Sequence, residues 1–202
     1  MKKRLLVCLV SIAVLFLAVS PGRAQNLEKG FKFGLSLANW SGASIDEDFT
    51  SRTGFAAGVY LGLKISEGSS HQPEILYVQK GTKIAEGDAK VVFRADYLEI
   101  PILAKYAFAL SPGARVFVFA GPAVAFKISG KLFVEVDDFS DSYDLEELKS
   151  TDVGLAFGGG IEIPLGALRL SADLRYTLGL TNVYEGDEIK SGAFLILIGI
   201  GL

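Results

Sequence analysis

The stretch that decides the fold is DYLEIPILAKYAF, residues 96–108, in which two kinds of side chain alternate. Its even-numbered positions from Leu98 to Phe108 are all apolar, whereas Glu99, Pro101 and Lys105 stand between them. Strict alternation indicates a half-buried β-strand, because successive side chains of a strand point to opposite faces. The alternation leaves open whether the apolar face meets a protein core or lipid, so the surrounding sequence has to decide.

Alternating runs of this kind occur eight times along the chain. They cover about 29–38, 54–65, 72–82, 96–108, 115–127, 152–163, 168–180 and 192–202. Most of them are close in length to a tilted membrane strand of about 9 to 11 residues. The runs at 72–82 and 115–127 are ambiguous, because large apolar residues occupy both of their faces.

The connections between these runs alternate between short and long. The short ones are 66–71, 111–114 and 164–167, and the long ones are 39–53, about 83–95, about 128–151 and 181–191. In an up-and-down meander the odd connections lie at one end and the even ones at the other. Short periplasmic turns opposite long external loops are typical of outer-membrane barrels. We therefore predict an all-β fold, an eight-stranded antiparallel up-and-down transmembrane β-barrel with short periplasmic turns and long external loops.

A soluble secreted ligand-binding barrel is the alternative fold, since it would also alternate but would turn its apolar face inward. Glycines crowd the polar faces of the second and sixth runs, which suits a cramped interior better than a solvated exterior. Aromatic residues gather near the strand ends on the apolar face, as in the interfacial girdles of membrane barrels. Both features favour the membrane barrel, in which Ile102 would face lipid and its neighbour Leu103 would meet a polar interior near Glu99.

The start of the chain predicts export. Residues 1–24 have a basic beginning, an apolar run and a small-residue end, which is the pattern of a secretory signal peptide. Residues 25–202 would then form one outer-membrane barrel domain without cysteine, because Cys8 lies within the signal. Removing four basic residues and no acidic one moves the formal net charge from −3 to −7, which argues against a nucleic-acid partner.

Several segments also resemble a known family. HQPEILYVQKGTK, DYLEIPILAKYAF, VFVFAGPAVAF, GLAFGGGIEI and LRLSADLRYTLGLTNV are similar, in order and spacing, to segments of the PorT-like outer-membrane β-barrel family common in Bacteroidota. The resemblance implies a small, porin-like barrel of the cell outer membrane, inserted by the barrel-assembly machinery. It also implies an accessory role in secretion, since the name-giving member is tied to a secretion machinery. Such barrels commonly end in an aromatic residue, whereas this chain ends in Leu202.

No pattern in the sequence indicates catalysis, a cofactor or a metal site. His71 is the only histidine and falls beside a predicted turn, so a membrane enzyme is a weak alternative.

Charged residues on the inward faces of the strands form the first candidate site. They are Lys64, Glu99, Lys105, Glu162, Arg169, Asp173 and Arg175. An eight-stranded barrel is just wide enough for side chains to fill it, so we predict a packed ion-pair network. A narrow porin-like channel for small solutes is the alternative.

The fifth connection holds the second candidate site, an acidic segment with interleaved aromatic residues. Its members are Asp137, Asp138, Phe139, Asp141, Tyr143 and Asp144. The order of these side chains does not match a helix-loop-helix calcium loop. We predict a solvated external loop whose aromatic residues suit a protein partner. The predicted function is therefore that of a non-enzymatic outer-membrane barrel, in contact with the lipid bilayer and acting through its external loops.

Overall fold

The computed structural model describes residues 27–42, 49–86, 89–111, 113–136, 139–145, 148–184 and 188–202. These ranges contain nine β-strands. They are β1 (Leu27–Gly42), β2 (Phe49–Lys64), β3 (Ser69–Glu86), β4 (Ala89–Ser111), β5 (Ala114–Val136), β6 (Phe139–Asp144), β7 (Thr151–Leu165), β8 (Leu168–Asn182) and β9 (Ile189–Gly201). Within the described ranges, no helix has the length and apolar character needed to cross a membrane.

Eight of the strands form a closed antiparallel sheet. Consecutive strands pair from β1 to β5, then β5 pairs with β7, and the meander continues through β8 to β9. Pairing of β1 with β9, from Gly30 opposite Gly201 to Gly42 opposite Ile189, closes the barrel. Closure removes the free edges that an open sheet would expose. The predicted eight-stranded up-and-down barrel is confirmed.

The ninth strand, β6, was not predicted and lies outside the closed ring. It pairs antiparallel with the far end of β5, from Lys131 opposite Asp144 to Val136 opposite Phe139. The prediction of long loops over 83–95 and 128–151 is wrong for the residues of these ranges that lie in strands. There β3, β4 and β5 continue well past the ends of the predicted runs. Apolar cross-strand pairs such as Val91 with Val134 account for the extension.

The two ends of the barrel differ in their connections. Short segments at 65–68, 113 and 166–167 lie at what we call the turn end, where Gly68, Gly113 and Gly166 adopt positive φ angles. The backbones of Lys29 and Leu202 also hydrogen-bond to each other at this end. The opposite end, the loop end, carries the extended hairpins of β3 to β6 and the connections that precede β7 and β9.

The outer wall of the barrel is apolar and the opposite face points into the lumen. In β4, Ile102 is 53% exposed, whereas the neighbouring Leu103 and Glu99 are fully buried. Tyr106 and Phe108 lie exposed further along the same outer face, with ring centroids 4.7 Å apart. The face assignment made from alternation in this strand is therefore correct.

The prediction that Leu103 meets a polar interior is wrong. Leu103 packs inside the barrel with Phe117, Phe119, Ala123 and Ala156, all of them buried. The lumen is lined by apolar clusters as well as charges, because an interior this narrow excludes bulk water and must be filled by side chains.

Glycines in β7 make room for the aromatic side chains that help to fill the lumen. A Cβ atom on Gly158 would lie 2.9 Å from the Phe119 ring, and one on Gly160 would lie 2.8 Å from the Phe117 ring. Glycine therefore lets two large rings pack against the inner wall of the barrel. The barrel interior next to this strand is therefore crowded, as the glycines in its sequence predict.

Candidate functional site

The middle of the lumen holds a buried network of charges, which we call the central ion network. Arg175 of β8 makes a bidentate contact with Glu74 of β3, with nitrogen–oxygen distances of 2.7 and 3.0 Å. Lys32 of β1 joins Glu74 at 3.0 Å and Asp173 at 2.7 Å. Gln72 donates a further hydrogen bond to Glu74, at 2.6 Å. Two cations and two carboxylates from three strands thus neutralise one another without water access.

A second buried pair lies nearer the loop end. Lys80 Nζ is 2.8 Å from Glu99 Oε2, and both side chains are almost completely buried. Thr177 donates a hydrogen bond to the other carboxylate oxygen of Glu99, at 3.2 Å. The Lys80 ammonium also lies 5.5 Å from the centre of the Tyr97 ring, within the range of a cation–π contact.

Charged pairs also occur at the turn end, where they are more exposed. Lys105 lies 2.7 Å from Glu162, and Arg115 lies 3.6 Å from the other oxygen of the same carboxylate. Arg169 pairs with Glu28, which also accepts a hydrogen bond from Tyr60 at 2.9 Å.

The loop end of the lumen is closed by an apolar cluster, which we call the loop-end seal. Trp40, Tyr97, Leu148 and Val183 are its largest buried members. The seal includes residues from connections as well as strands, because Leu148 and Val183 lie between strands. Backbone hydrogen bonds from Lys149 to Val183 and from Val183 to Ile189 hold the connecting segments over the lumen.

The second candidate site projects from the loop end on β6. Tyr143 is 56% exposed, and Asp141 and Asp144 are exposed beside it. The Tyr143 hydroxyl donates a hydrogen bond of 2.9 Å to Asp141, which raises the pKa of the tyrosine. Asp137 and Asp138 fall outside the described residues. Phe139 is the first residue of β6, but its side chain is not among the described ones.

Comparison with known protein families gives one match. The family model for the outer membrane protein β-barrel domain matches residues 23–185, which is most of the chain. The chain belongs to this outer-membrane β-barrel family. Its family and fold therefore place it in the outer membrane, and an exposed apolar wall such as the one around Ile102 is typical of such barrels.

Solved structures of outer-membrane barrels are similar to this family member. Neisserial surface protein A has 16% sequence identity and a TM-score of 0.52, over 86% of this chain and 96% of that one. Ail of Yersinia pestis has 14% identity and a TM-score of 0.42, over 88% of this chain and 100% of that one. The N-terminal barrel of Pseudomonas aeruginosa OprF has 13% identity and a TM-score of 0.40, over 88% and 98% of the two chains. No curated protein sequence matches this outer-membrane barrel.

The soluble-barrel alternative is incompatible with the outer wall of this outer-membrane barrel. A secreted ligand carrier turns its apolar face inward and its polar face to water. Here the exposed large hydrophobic side chains are spread around the ring of strands. Such a wall would be an extensive aggregation surface in water but is suited to a bilayer.

The structure places six of the seven predicted lumen charges in ion pairs. Glu99 pairs with Lys80, Asp173 and Arg175 belong to the central ion network, and the turn-end pairs supply the rest. Lys64 is the exception. It is exposed at the end of β2 and takes part in none of the ion pairs formed by the described residues.

Sequence reasoning missed Lys32 and Glu74 of the central ion network and Lys80, the partner of Glu99. Lys32 carries a usable signal, because it stands between Phe31 and Phe33 in an alternating run. Glu74 and Lys80 share the inward face of β3 with the apolar Leu76 and Val78, so that face did not look polar. A mixed inner face is the physical reason why that run was ambiguous.

Proposed function

We propose that this outer-membrane barrel is a sealed, non-enzymatic interaction protein that acts through its loop end. The observation that carries the proposal is the filled lumen. The loop-end seal, the Lys80–Glu99 pair and the central ion network occupy successive levels between the loop end and the middle of the barrel. A solute would have to separate buried ion pairs in order to pass, which costs several kcal/mol for each pair.

The interaction surface we propose is the β6 strand with the hairpins that support it. β6 presents two exposed carboxylates and an exposed tyrosine beyond the closed ring. Tyrosine is enriched at protein interfaces, and complementary charge steers encounters between partners. We therefore propose a protein partner with a cationic surface.

The resemblance to PorT-like barrels extends this proposal. We infer that the chain is a PorT-like member of the family, exported by a signal peptide over residues 1–24 and inserted by the barrel-assembly machinery. An accessory role in secretion is the specific form of interaction that this resemblance suggests. The similarity in order and spacing of the five segments supports the inference.

Conductance measurements test the sealed lumen. The purified protein in planar bilayers should give no reproducible single-channel steps at neutral pH, because its lumen is filled at several levels. The double variant Trp40→Ala, Leu148→Ala opens only the loop-end seal and should also remain silent, because the central ion network still fills the barrel. Reproducible steps from the unmodified protein would favour the alternative, a narrow porin-like channel.

Crosslinking in intact cells tests the loop-end surface. A photoreactive residue in place of Tyr143 should capture a discrete partner. The added changes Asp141→Lys and Asp144→Lys should abolish that capture, since charge reversal repels a cationic partner. These side chains are exposed, so the barrel should still fold. The matched control is a photoreactive residue at Ser66, which is exposed at the turn end. Capture of the same partner from Ser66, or capture that survives charge reversal, would contradict the proposal.

A further inference from the structure

The turn end of the lumen opens into a cavity of about 370 Å³, which we call the turn-end vestibule. Charged side chains from six strands surround it. The cationic ones are Lys64, Lys105, Arg115 and Arg169, and the carboxylates are Glu28 and Glu162. Small-molecule sites in proteins have volumes of about 300–1,000 Å³, so the vestibule is large enough for a small ligand.

Cations outnumber carboxylates in the vestibule. Glu162 is shared, because Lys105 lies 2.7 Å from one of its oxygens and Arg115 lies 3.6 Å from the other. Lys64 is in none of the ion pairs of the described residues. The side chains lining the vestibule therefore carry two positive charges in excess, and the terminal carboxylate of Leu202, which also lines it, lowers this excess to one. The whole chain, by contrast, has a formal net charge of −3. Glu67 lies in the adjacent turn but does not line the vestibule.

Partial burial makes this excess of charge significant. The Lys105 and Glu162 side chains are only 11% and 4% exposed, so water screens their neighbours incompletely. Lys105 Nζ also lies 3.9 Å from the centre of the Phe117 ring, which fixes the ammonium on the inner wall. Uncompensated cations held close together in a concave site attract an anion from solution.

We propose that the turn-end vestibule binds a small oxyanion of the phosphate type. Arginine is the side chain best suited to phosphate, because its planar guanidinium donates two parallel hydrogen bonds, and lysine adds a point charge. Arg115 and Arg169 are respectively 43% and 36% exposed and so retain donors for a ligand. The central ion network closes the lumen beyond the vestibule, so the ligand enters and leaves by the turn end. This site is independent of any partner at β6.

Calorimetric titration tests the proposal. Inorganic phosphate is titrated into the full chain, folded in octyl glucoside micelles, which contain no phosphate of their own. The expected result is saturable binding with a stoichiometry of one, weakened by added salt. Lys64→Gln and Arg115→Gln should each weaken binding roughly tenfold, because each removes a charged hydrogen-bond donor. Arg115→Lys should lose less than Arg115→Gln, because the charge remains.

The matched control is Lys190→Gln, which removes an exposed lysine at the loop end. Its affinity for phosphate should equal that of the unmodified chain. Equal weakening by Lys190→Gln, or heats that never saturate, would overturn the proposal in favour of non-specific charge screening.

Repeating the titration in bilayers separates two sources of the phosphate group. Binding that persists when the bilayer contains phosphatidic acid assigns the vestibule to a soluble oxyanion. If phosphatidic acid abolishes phosphate binding to the unmodified chain, and if the Arg115→Gln variant does not retain this lipid, the vestibule is assigned to a lipid headgroup. Absence of phosphate binding in micelles and of lipid retention in bilayers would overturn the proposal.

Discussion

Replacing Glu74 by glutamine should lower the free energy of unfolding by about 3–5 kcal/mol. The substitution is nearly isosteric but removes the charge that Arg175 and Lys32 share. Asp173 would then face both cations alone, 3.6 Å from Arg175 and 2.7 Å from Lys32. All of these side chains are buried, so water cannot compensate the surplus positive charge. Urea titration of folding into lipid bilayers measures the loss.

The matched control for this prediction is Glu28→Gln at the turn end. The chemical change is the same, but the side chains of Glu28 and Arg169 are 27% and 36% exposed. Solvent screening should keep the cost below about 1 kcal/mol. Equal losses from the two variants would mean that the central ion network is hydrated and that the lumen is not sealed.

Replacing Ile102 by arginine should cost about 2–4 kcal/mol, the penalty for a cation on the lipid face near the bilayer midplane. Ile102 lies midway along its face between Tyr106, toward the turn end, and Leu98, which pairs with Phe126 toward the loop end. Aromatic side chains mark the two interfaces of a membrane barrel, so this position is the deepest on the strand. Folding titrations into bilayers give the difference directly.

Leu110→Arg provides a control on the same strand and the same face. Leu110 is 70% exposed and lies next to the turn that ends β4. An arginine there can reach the headgroup region, so its cost should be only about 0–1 kcal/mol. A penalty at Ile102 no larger than that at Leu110 would show that the wall around Ile102 is not in lipid.

The sequence predicts the strands and their faces well wherever the two faces differ in polarity. β8 alternates without interruption, and its inward Asp173 and Arg175 were placed correctly. β3 and β5 were ambiguous because the lumen contains both apolar and charged side chains. Leu103 shows the same limit, since a residue of the inner face was expected to meet charge and instead meets Phe117 and Phe119.

The candidate site was predictable only in part, because ion pairs depend on which strands meet across the lumen. Glu74 and Arg175 are 101 residues apart, and local alternation carries no information about such a pairing. β6 was missed for a related reason. Its short segment becomes a strand only because the extended end of β5 offers an edge with which to pair.

The pairing of β1 with β9 has a consequence for how the barrel forms. The first strand cannot complete its hydrogen bonding until the last strand has arrived, so β1 presents an open edge while the rest of the chain assembles. The contact between Lys32 and Asp173 spans 141 residues and forms only when that seam closes. The lumen charges are thus neutralised in the same late step in which β1 pairs with β9, and this step carries a large entropic cost of loop closure. A chain that stops short of β9 would leave the edges of β1 and β8 unpaired, and the charges inside the barrel would not be balanced.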